Sequence, residues 1–188
     1  MSLTRYYTAT TLDGFIADPD HSLEWLISRK REPGGALTYE AFIEEVGAIA
    51  MGATTFEWIL GHEFSGKDPS EWRWPYDVPC WVFTHRDLPV VPNAAITFVR
   101  GDVAPVHAEM LDAADGRNVW VVGGGDLAGQ FADAGLLDQV IVYVAPVTLG
   151  SGAPLLPRRV ELRLEETARN GDFVTARYAV VSARAEGA

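Results

Sequence analysis

The sequence is short of cysteine and of positive charge, and it contains no long hydrophobic run. Cys80 is the single cysteine among 188 residues, which excludes an internal disulfide framework. With 15 Lys and Arg against 26 Asp and Glu, the net charge of −11 argues against binding to nucleic acid or to anionic membranes. No stretch reaches the roughly 18 apolar residues of a membrane helix, and the N-terminus lacks a signal-peptide core. We therefore expect a cytoplasmic protein.

Metal-binding motifs are missing as well. The four histidines show no close metal-ligand spacing, and the His-x-Glu and Pro-Cys-x-x-Cys motifs of zinc deaminases are both absent. No metal is therefore expected.

What is present fits one globular domain covering residues 1–188. Hydrophobic residues make up 48% of the chain, enough for a core without disulfides or metals. Strands are predicted at 5–11, 48–51, 80–84, 96–99, 118–122, 139–144, 161–168 and 173–181, and helices at 39–46, 54–60, 104–114 and 126–134. This alternation favours a three-layer α/β fold with a mainly parallel sheet. The Asn170-Gly171 turn predicts a C-terminal antiparallel hairpin.

Three residues are predicted to mark helix ends. Thr38 is a candidate N-cap for the helix at 39–46, and Gly47 is expected to follow the end of that helix. Gly135 is expected to terminate the helix at 126–134.

Ligands of parallel sheets bind beyond the carboxyl ends of the strands, and three such ends carry residues suited to phosphate. Gly123-Gly124-Gly125 opens a helix whose N-terminus favours an anion, although a tight turn without a ligand is the alternative. Gly52-Ala53-Thr54-Thr55 repeats the arrangement, with helix capping as the other explanation for the threonines. His85 and Arg86 follow a third strand. Together they favour a diphosphate-containing cofactor.

The first strand is followed by an unusual loop. Asp13-Gly14 predicts a turn, and the apolar residues Phe15-Ile16-Ala17 come directly after it. Loops normally face water, so this segment either lies over a flat ring or packs into the core.

An aromatic-rich stretch at 56–76 contains Trp58, Trp72 and Trp74. Such rings suit a cover over a flat heterocycle and are candidate substrate contacts. Core packing is an equal alternative for Trp58, and a dimer contact is one for Trp72 and Trp74.

Four motifs in this order resemble the dihydrofolate reductase fold family. They are Thr11-Leu12-Asp13-Gly14-Phe15-Ile16-Ala17, Met51-Gly52-Ala53-Thr54-Thr55-Phe56-Glu57, Val121-Val122-Gly123-Gly124-Gly125 and Pro146-Val147-Thr148-Leu149-Gly150-Ser151-Gly152. More closely, they resemble the C-terminal reductase domain of riboflavin-biosynthesis deaminase–reductases and its stand-alone relatives. The resemblance implies a homodimeric, NADPH-dependent reductase that transfers hydride to a small pterin-like or pyrimidine-like heterocycle.

The resemblance also implies where the cofactor binds. The nicotinamide would lie against Ala9, Thr10, Asp13 and Ile16, and the adenosine ribose with its 2′-phosphate would contact Thr84, His85 and Arg86. One helix start would hold phosphates through Gly52, Thr54 and Thr55. The other helix start would hold the pyrophosphate through Gly123, Gly124, Gly125, Asp126 and Leu127.

Two positions depart from the pattern or leave it incomplete. Ala53 stands where the family has Arg or Lys for the 2′-phosphate, so NADPH is expected but NADH is not excluded. Asp13 is the carboxylate nearest the expected nicotinamide, which makes it a candidate catalytic group against a purely turn-forming role. Glu40, Glu44 and Glu45 are not distinguished by their spacing. A catalytically degenerate, homodimeric nucleotide-binding module is the alternative function, and a fold without a nucleotide is a third.

Overall fold

The computed structural model describes residues 2–34 and 37–181, and its centre is an eight-stranded sheet. The strands of this sheet are β1 (Thr4–Thr11), β3 (Val46–Gly52), β4 (Cys80–Phe83), β5 (Ile96–Val99), β6 (Asn118–Gly123), β7 (Gln139–Ala145), β9 (Leu162–Asn170) and β10 (Phe173–Val180). Their order is β5-β4-β3-β6-β1-β7-β10-β9. The six strands from β5 to β7 run parallel, whereas β10 is antiparallel to both β7 and β9. The predicted mainly parallel sheet with a C-terminal hairpin is confirmed.

Helices cover both faces of the sheet, as the predicted three layers require. They are α1 (Glu24–Ile27), α2 (Tyr39–Glu44), α3 (Ala53–Phe64), α4 (Val103–Ala113) and α5 (Gly125–Asp133). Helices α1 to α3 pack into one hydrophobic core, and α4 and α5 into the other. None of the described helices is long and apolar enough to cross a bilayer.

Successive residues of the central strands enter opposite cores. In β3, Ala48 and Ala50 face α4 and α5, while Ile49 and Met51 face the other helices, and all four are fully buried. Because both faces of these strands are buried, their sequences are continuous apolar runs. Cys80 is also fully buried, and burial raises the pKa of its thiol to about 12, consistent with a packing role.

The helix-end predictions are confirmed at two positions and wrong at one. The Thr38 hydroxyl accepts a hydrogen bond from the Ala41 amide at 3.4 Å, and Gly135 has a φ of +67° just after α5. Gly47, however, lies within β3. A Cβ at this position would come within 2.3 Å of the Ala114 carbonyl oxygen, so the close approach of α4 explains the glycine.

A second, two-stranded sheet was not predicted. It pairs β2 (Phe15–Ala17) with β8 (Ala153–Pro154) in antiparallel orientation. A short 3-10 helix, Pro69–Glu71, lies in the aromatic-rich stretch. The second sheet joins the loop after β1 to the segment after β7, beside the carboxyl edge of the main sheet.

Candidate active site

Three adjoining cavities follow the carboxyl edge of the parallel strands. An outer cavity of about 340 Å³ lies between the ends of β3, β4, β5 and β6. It shares Thr54, Thr55, Gly124 and Asp126 with a central cavity of about 380 Å³. The central cavity shares Thr8 and Val122 with a third cavity of about 520 Å³, here called the tyrosine cavity. Because neighbouring cavities share these lining residues, the three together are here called the groove.

Helices α3 and α5 begin at this groove, and neither has a capping side chain. Gly52 is the N-cap of α3 and Gly124 is the N-cap of α5, and neither makes a side-chain cap. The first amide groups of both helices therefore have no side-chain acceptor from the cap residue, and each helix end carries a partial positive charge. Their common opening suits a ligand with two neighbouring phosphates.

Each glycine after β6 has a packing reason of its own. Gly124 has a φ of +94°. A Cβ on Gly123 would lie 2.7 Å from the Thr55 hydroxyl oxygen, and one on Gly125 would lie 2.1 Å from the Pro154 carbonyl oxygen. The glycine run alone is thus explained by the turn and by its neighbours. The argument for a phosphate rests on the uncapped helix ends.

The outer cavity brings two arginines together. Arg86 and Arg100 both line it, together with Thr84 and His85. Arg86 forms an ion pair with Glu57 of α3, and Arg100 forms one with Asp87 at 3.2 Å. Both pairs are exposed, so each holds its arginine only weakly. The outer cavity therefore has two arginine side chains in its lining, although Ala53 provides no positive charge there.

An acidic residue at the start of α5 is neutralised within the protein. The Asp126 carboxylate accepts hydrogen bonds from Gln130 at 2.9 Å and from Arg158 at 2.7 Å. These bonds hold the pKa of Asp126 below its usual value. Arg158 also donates to Asp133 at 2.9 Å. Because Asp126 lines both the outer and the central cavity, the Arg158 charge reduces its repulsion of an anion there.

The central cavity contains part of the loop after β1 and one of the predicted tryptophans. Ile16 and Trp58 line it, and the Trp58 ring stacks on His62 with centroids 4.7 Å apart. Trp72 and Trp74 line none of the three cavities. Trp72 stacks on Phe64 and Trp74 packs against Phe56 and Tyr76, which places both in the hydrophobic layer beside α3.

Asp13 holds two loops together. Its carboxylate accepts hydrogen bonds from the amides of Leu149 and Gly150, at 3.0 and 2.7 Å, and from the Thr11 hydroxyl at 2.5 Å. The Thr11 hydroxyl bond is the main cause of a lowered pKa at Asp13. Asp13 does not line the groove, and neither does Thr10, whose hydroxyl donates to the Phe15 carbonyl at 3.2 Å. The geometry therefore gives Asp13 an anchoring position.

Aromatic rings form the wall of the tyrosine cavity. Tyr7, Tyr39, Trp120 and Tyr143 line it, and Ala9 lies between them. The hydroxyls of Tyr143 and Tyr7 both donate to the Leu37 carbonyl, at 2.6 and 3.5 Å. Burial raises the pKa of both tyrosines, so both hydroxyls stay protonated at neutral pH.

A loop anchored by the C-terminal hairpin supplies charges to this cavity. Arg31 and Glu32 line the tyrosine cavity, and Glu40 of α2 joins them. The buried Asn170 side chain accepts from the Glu32 amide at 3.0 Å and donates to the Glu32 carbonyl at 2.8 Å. Glu32 is thus fixed by its backbone, and the residue is exposed at the cavity.

The tyrosine cavity and Arg100 were not predicted from the sequence. Arg100 follows β5 directly, so the same strand-end signal that selected Arg86 would have found it. Tyr7, Trp120 and Tyr143 lie within strands rather than after them. No strand-end signal could have selected them, because the cavity forms on a face of the sheet between α2 and the strands.

Apart from Thr10 and Asp13, every residue predicted to bind the cofactor lines the groove. These residues are Ala9, Ile16, Gly52, Thr54, Thr55, Thr84, His85, Arg86, Gly123, Gly124, Gly125, Asp126 and Leu127. In residues 2–34 and 37–181, no three His, Cys, Asp or Glu side chains are grouped as metal ligands.

Comparison with known proteins identifies the family. Residues 4–172 match the family model described as the RibD C-terminal domain. The chain belongs to this family. It is 33% identical over 180 residues to YwjB, an uncharacterized protein of Bacillus subtilis (strain 168), which covers 93% of this chain and 96% of YwjB.

Solved structures show the same fold in reductases. A putative riboflavin biosynthesis protein from Shewanella sp. PV-4 has a TM-score of 0.77 at 24% identity, with 96% of this chain and 99% of that chain covered. A Thermotoga maritima deaminase/5-amino-6-(5-phosphoribosylamino)uracil reductase has a TM-score of 0.62 at 16% identity, covering 96% of this chain and 57% of that one. Enterococcus faecalis dihydrofolate reductase, complexed with NADP(H), has a TM-score of 0.56 at 13% identity, covering 96% and 97%. The fold is dihydrofolate reductase-like.

Proposed function

We propose that this protein is an NADPH-dependent reductase that transfers hydride to a small heterocyclic substrate. The observation that carries the proposal is the groove, in which two helix starts without a capping side chain adjoin a cavity that borders the aromatic-walled tyrosine cavity. Family membership supports an oxidoreductase, because members of this fold include proteins named as reductases.

The groove fits the extended dinucleotide. The amides at the starts of α3 and α5 would hold the pyrophosphate, and Arg86 and Arg100 would hold the 2′-phosphate in the outer cavity. A Cβ at Gly52 would meet no atom within 4 Å, so there is open space for a phosphate at the start of α3. Ile16, in the central cavity, supplies an apolar surface for the nicotinamide.

When bound, the reduced nicotinamide supplies the hydride, and the protein positions the acceptor. Thr8 and Val122 form the wall common to the central and tyrosine cavities, so an acceptor in the tyrosine cavity lies next to the expected nicotinamide position. The buried rings of Tyr7, Trp120 and Tyr143 give one side of that cavity an apolar surface. Glu40 is the helix carboxylate that faces the acceptor, and we assign it, rather than Asp13, as the group that orients the acceptor and relays a proton.

Fluorescence titration with NADPH and NADH tests the cofactor assignment. We expect saturable binding with NADPH tighter, because two arginines line the outer cavity. Binding of neither nucleotide would refute the proposal. Oxidation of NADPH is then followed with a panel of pterins and pyrimidines. Binding without turnover of any panel member would instead favour the nucleotide-binding module without catalysis.

The homodimeric state and the cytoplasmic location stay predictions. Light scattering coupled to size-exclusion chromatography tests the first, and fractionation of the producing cell tests the second.

A further inference from the structure

We infer that the acceptor bound in the tyrosine cavity is a planar, hydrogen-bond-donating heterocycle that carries no phosphate group. This inference rests on the proposed function, since it names the substrate class of the same site. It separates this chain from the Thermotoga maritima protein, whose name specifies a phosphoribosyl substrate.

Several polar groups of the cavity wall can accept hydrogen bonds from a ligand. The Tyr143 and Tyr7 hydroxyl oxygens lie 2.6 and 3.5 Å from the Leu37 carbonyl oxygen, and both keep lone pairs with which to accept. The Asn170 amide uses one donor and its acceptor on the Glu32 backbone. The Glu40 carboxylate, when ionised, can only accept. A ligand that pairs with the Glu40 carboxylate and the two tyrosine hydroxyl oxygens therefore donates, as ring N–H and amino groups do.

The charges of the wall oppose a phosphate. Arg31 is the single cation among the lining residues, whereas Glu32 and Glu40 supply two carboxylates. Both Glu40 and Arg31 lie close enough to affect the pKa of Tyr7 and of Tyr143, in opposite directions, so the two charges act on the same space. The wall has a formal net charge of −1, and a phosphate monoester would add between −1.5 and −2 at pH 7.

The rings of the wall define the shape of the ligand. The Tyr39 ring lies 5.9 Å from Trp120 and 6.3 Å from Tyr7, and Tyr143 lies 5.6 Å from Tyr7. All four line a volume of about 520 Å³. Aromatic walls gain most from a flat apolar or π surface, which a heterocyclic ring presents.

Calorimetric titration of the full chain with two matched pairs tests the inference. One pair is 5-amino-6-ribosylaminouracil and its 5′-phosphate, and the other is 6-hydroxymethyl-7,8-dihydropterin and its phosphate ester. We expect at least one unphosphorylated member to bind and its phosphate to bind about tenfold or more weakly, from like-charge repulsion at this short range. The difference should shrink as salt is raised.

A charge reversal within the cavity sharpens the test. Glu32→Lys leaves the backbone bonds to Asn170 available and changes the formal wall charge from −1 to +1. This variant should bind the phosphate ester about tenfold or more tightly than the unaltered protein does. Glu44→Lys is the matched control, since Glu44 lies on α2, is exposed and does not line the cavity. It alters the net charge of the protein equally and should leave the ratio of the two affinities unchanged.

Several results would overturn the inference. They are a phosphate ester that binds as tightly as its parent compound, equal effects of Glu32→Lys and Glu44→Lys, and failure of all four compounds to bind. The cofactor titration is independent of these results. A protein that binds NADPH but prefers the phosphate esters would keep the proposed function and lose this inference.

Discussion

Tyr143 donates its hydroxyl proton to the Leu37 carbonyl at 2.6 Å, and this bond ties strand β7 to the turn before α2. Leu37 has a φ of +64°, a left-handed conformation that a leucine adopts only when its surroundings hold it there. The bond therefore fixes the segment from which α2 presents Glu40 to the tyrosine cavity.

Tyr143→Phe removes this bond while keeping the ring. We expect a loss of unfolding free energy of about 1 kcal/mol and weaker acceptor binding, with NADPH affinity unchanged. Chemical denaturation and the two titrations measure these effects. Tyr178→Phe is the control, because Tyr178 packs against the core on the other face of the sheet. Equal acceptor affinity in both variants would contradict the assigned role.

The substitution Gly52→Asp should change the stability of the protein and its affinity for NADPH in opposite directions. Gly52 has extended backbone angles and open space beside it, so an aspartate there can cap α3 itself. The cap should add stability, by less than about 1 kcal/mol because glycine is itself an acceptable N-cap. It should also weaken NADPH binding by about tenfold or more, because a carboxylate then occupies the phosphate position.

A second glycine of α3 provides the comparison for that variant. Gly61 also has open space around it and lies two turns further along the helix, outside the groove. Gly61→Ala should stabilise the helix by roughly 1 kcal/mol and leave NADPH affinity unchanged. Unchanged affinity in Gly52→Asp would show that the start of α3 holds no phosphate.

Arg86 and Arg100 should select NADPH over NADH. Replacing either with alanine should lower NADPH affinity several-fold and leave NADH affinity nearly constant, since the 2′-phosphate is the difference between the two. Arg159→Ala serves as the control because Arg159 is exposed, pairs with Glu161 and does not line the outer cavity. If affinity for NADPH and affinity for NADH fell equally, the arginines would not contact the 2′-phosphate.

His107 should make stability depend on pH. It is buried on α4 and hydrogen-bonded to the Thr4 hydroxyl at 2.7 Å. Burial lowers its pKa below the ordinary 6.5, although Asp138 opposes the shift. Since the unfolded chain takes up the proton first, the unfolding free energy should fall as pH drops from 6.5 towards the folded pKa, and should not change further from this group below it.

Urea denaturation between pH 7.5 and 5 of the protein and of His107→Gln measures this effect. The variant should lose the part of the pH dependence that His107 causes. His85→Gln, at an exposed position, should keep it. Identical pH dependence in all three proteins would refute the buried-histidine explanation.

The sheet, the hairpin and the helix starts beside the groove could be predicted from the sequence because they follow from local signals. Apolar runs mark the buried strands, and glycines or threonines mark the helix starts beside the groove. The tyrosine cavity could not be predicted in the same way. Tyr7, Trp120 and Tyr143 come from three strands that are adjacent only in the sheet, and their strand patterns are the same as those of ordinary core residues.

Asp13 is a second residue whose contacts could not be predicted from the sequence. Its place in a turn was predictable, but its partners Leu149 and Gly150 are more than a hundred residues away. The turn could therefore be predicted from neighbouring residues, whereas the bonds from Asp13 to the second loop could not.

The hairpin turn at Asn170 has a consequence for the order in which the protein is built. The residues that line the outer and central cavities all precede residue 158, whereas the tyrosine cavity includes Asn170 and the loop that it anchors. A chain leaving the ribosome, N-terminus first, therefore exposes every lining residue of the outer and central cavities before Asn170 of the tyrosine cavity has been synthesised. The two halves of the site are separated in time during synthesis, although they share a wall in the folded protein.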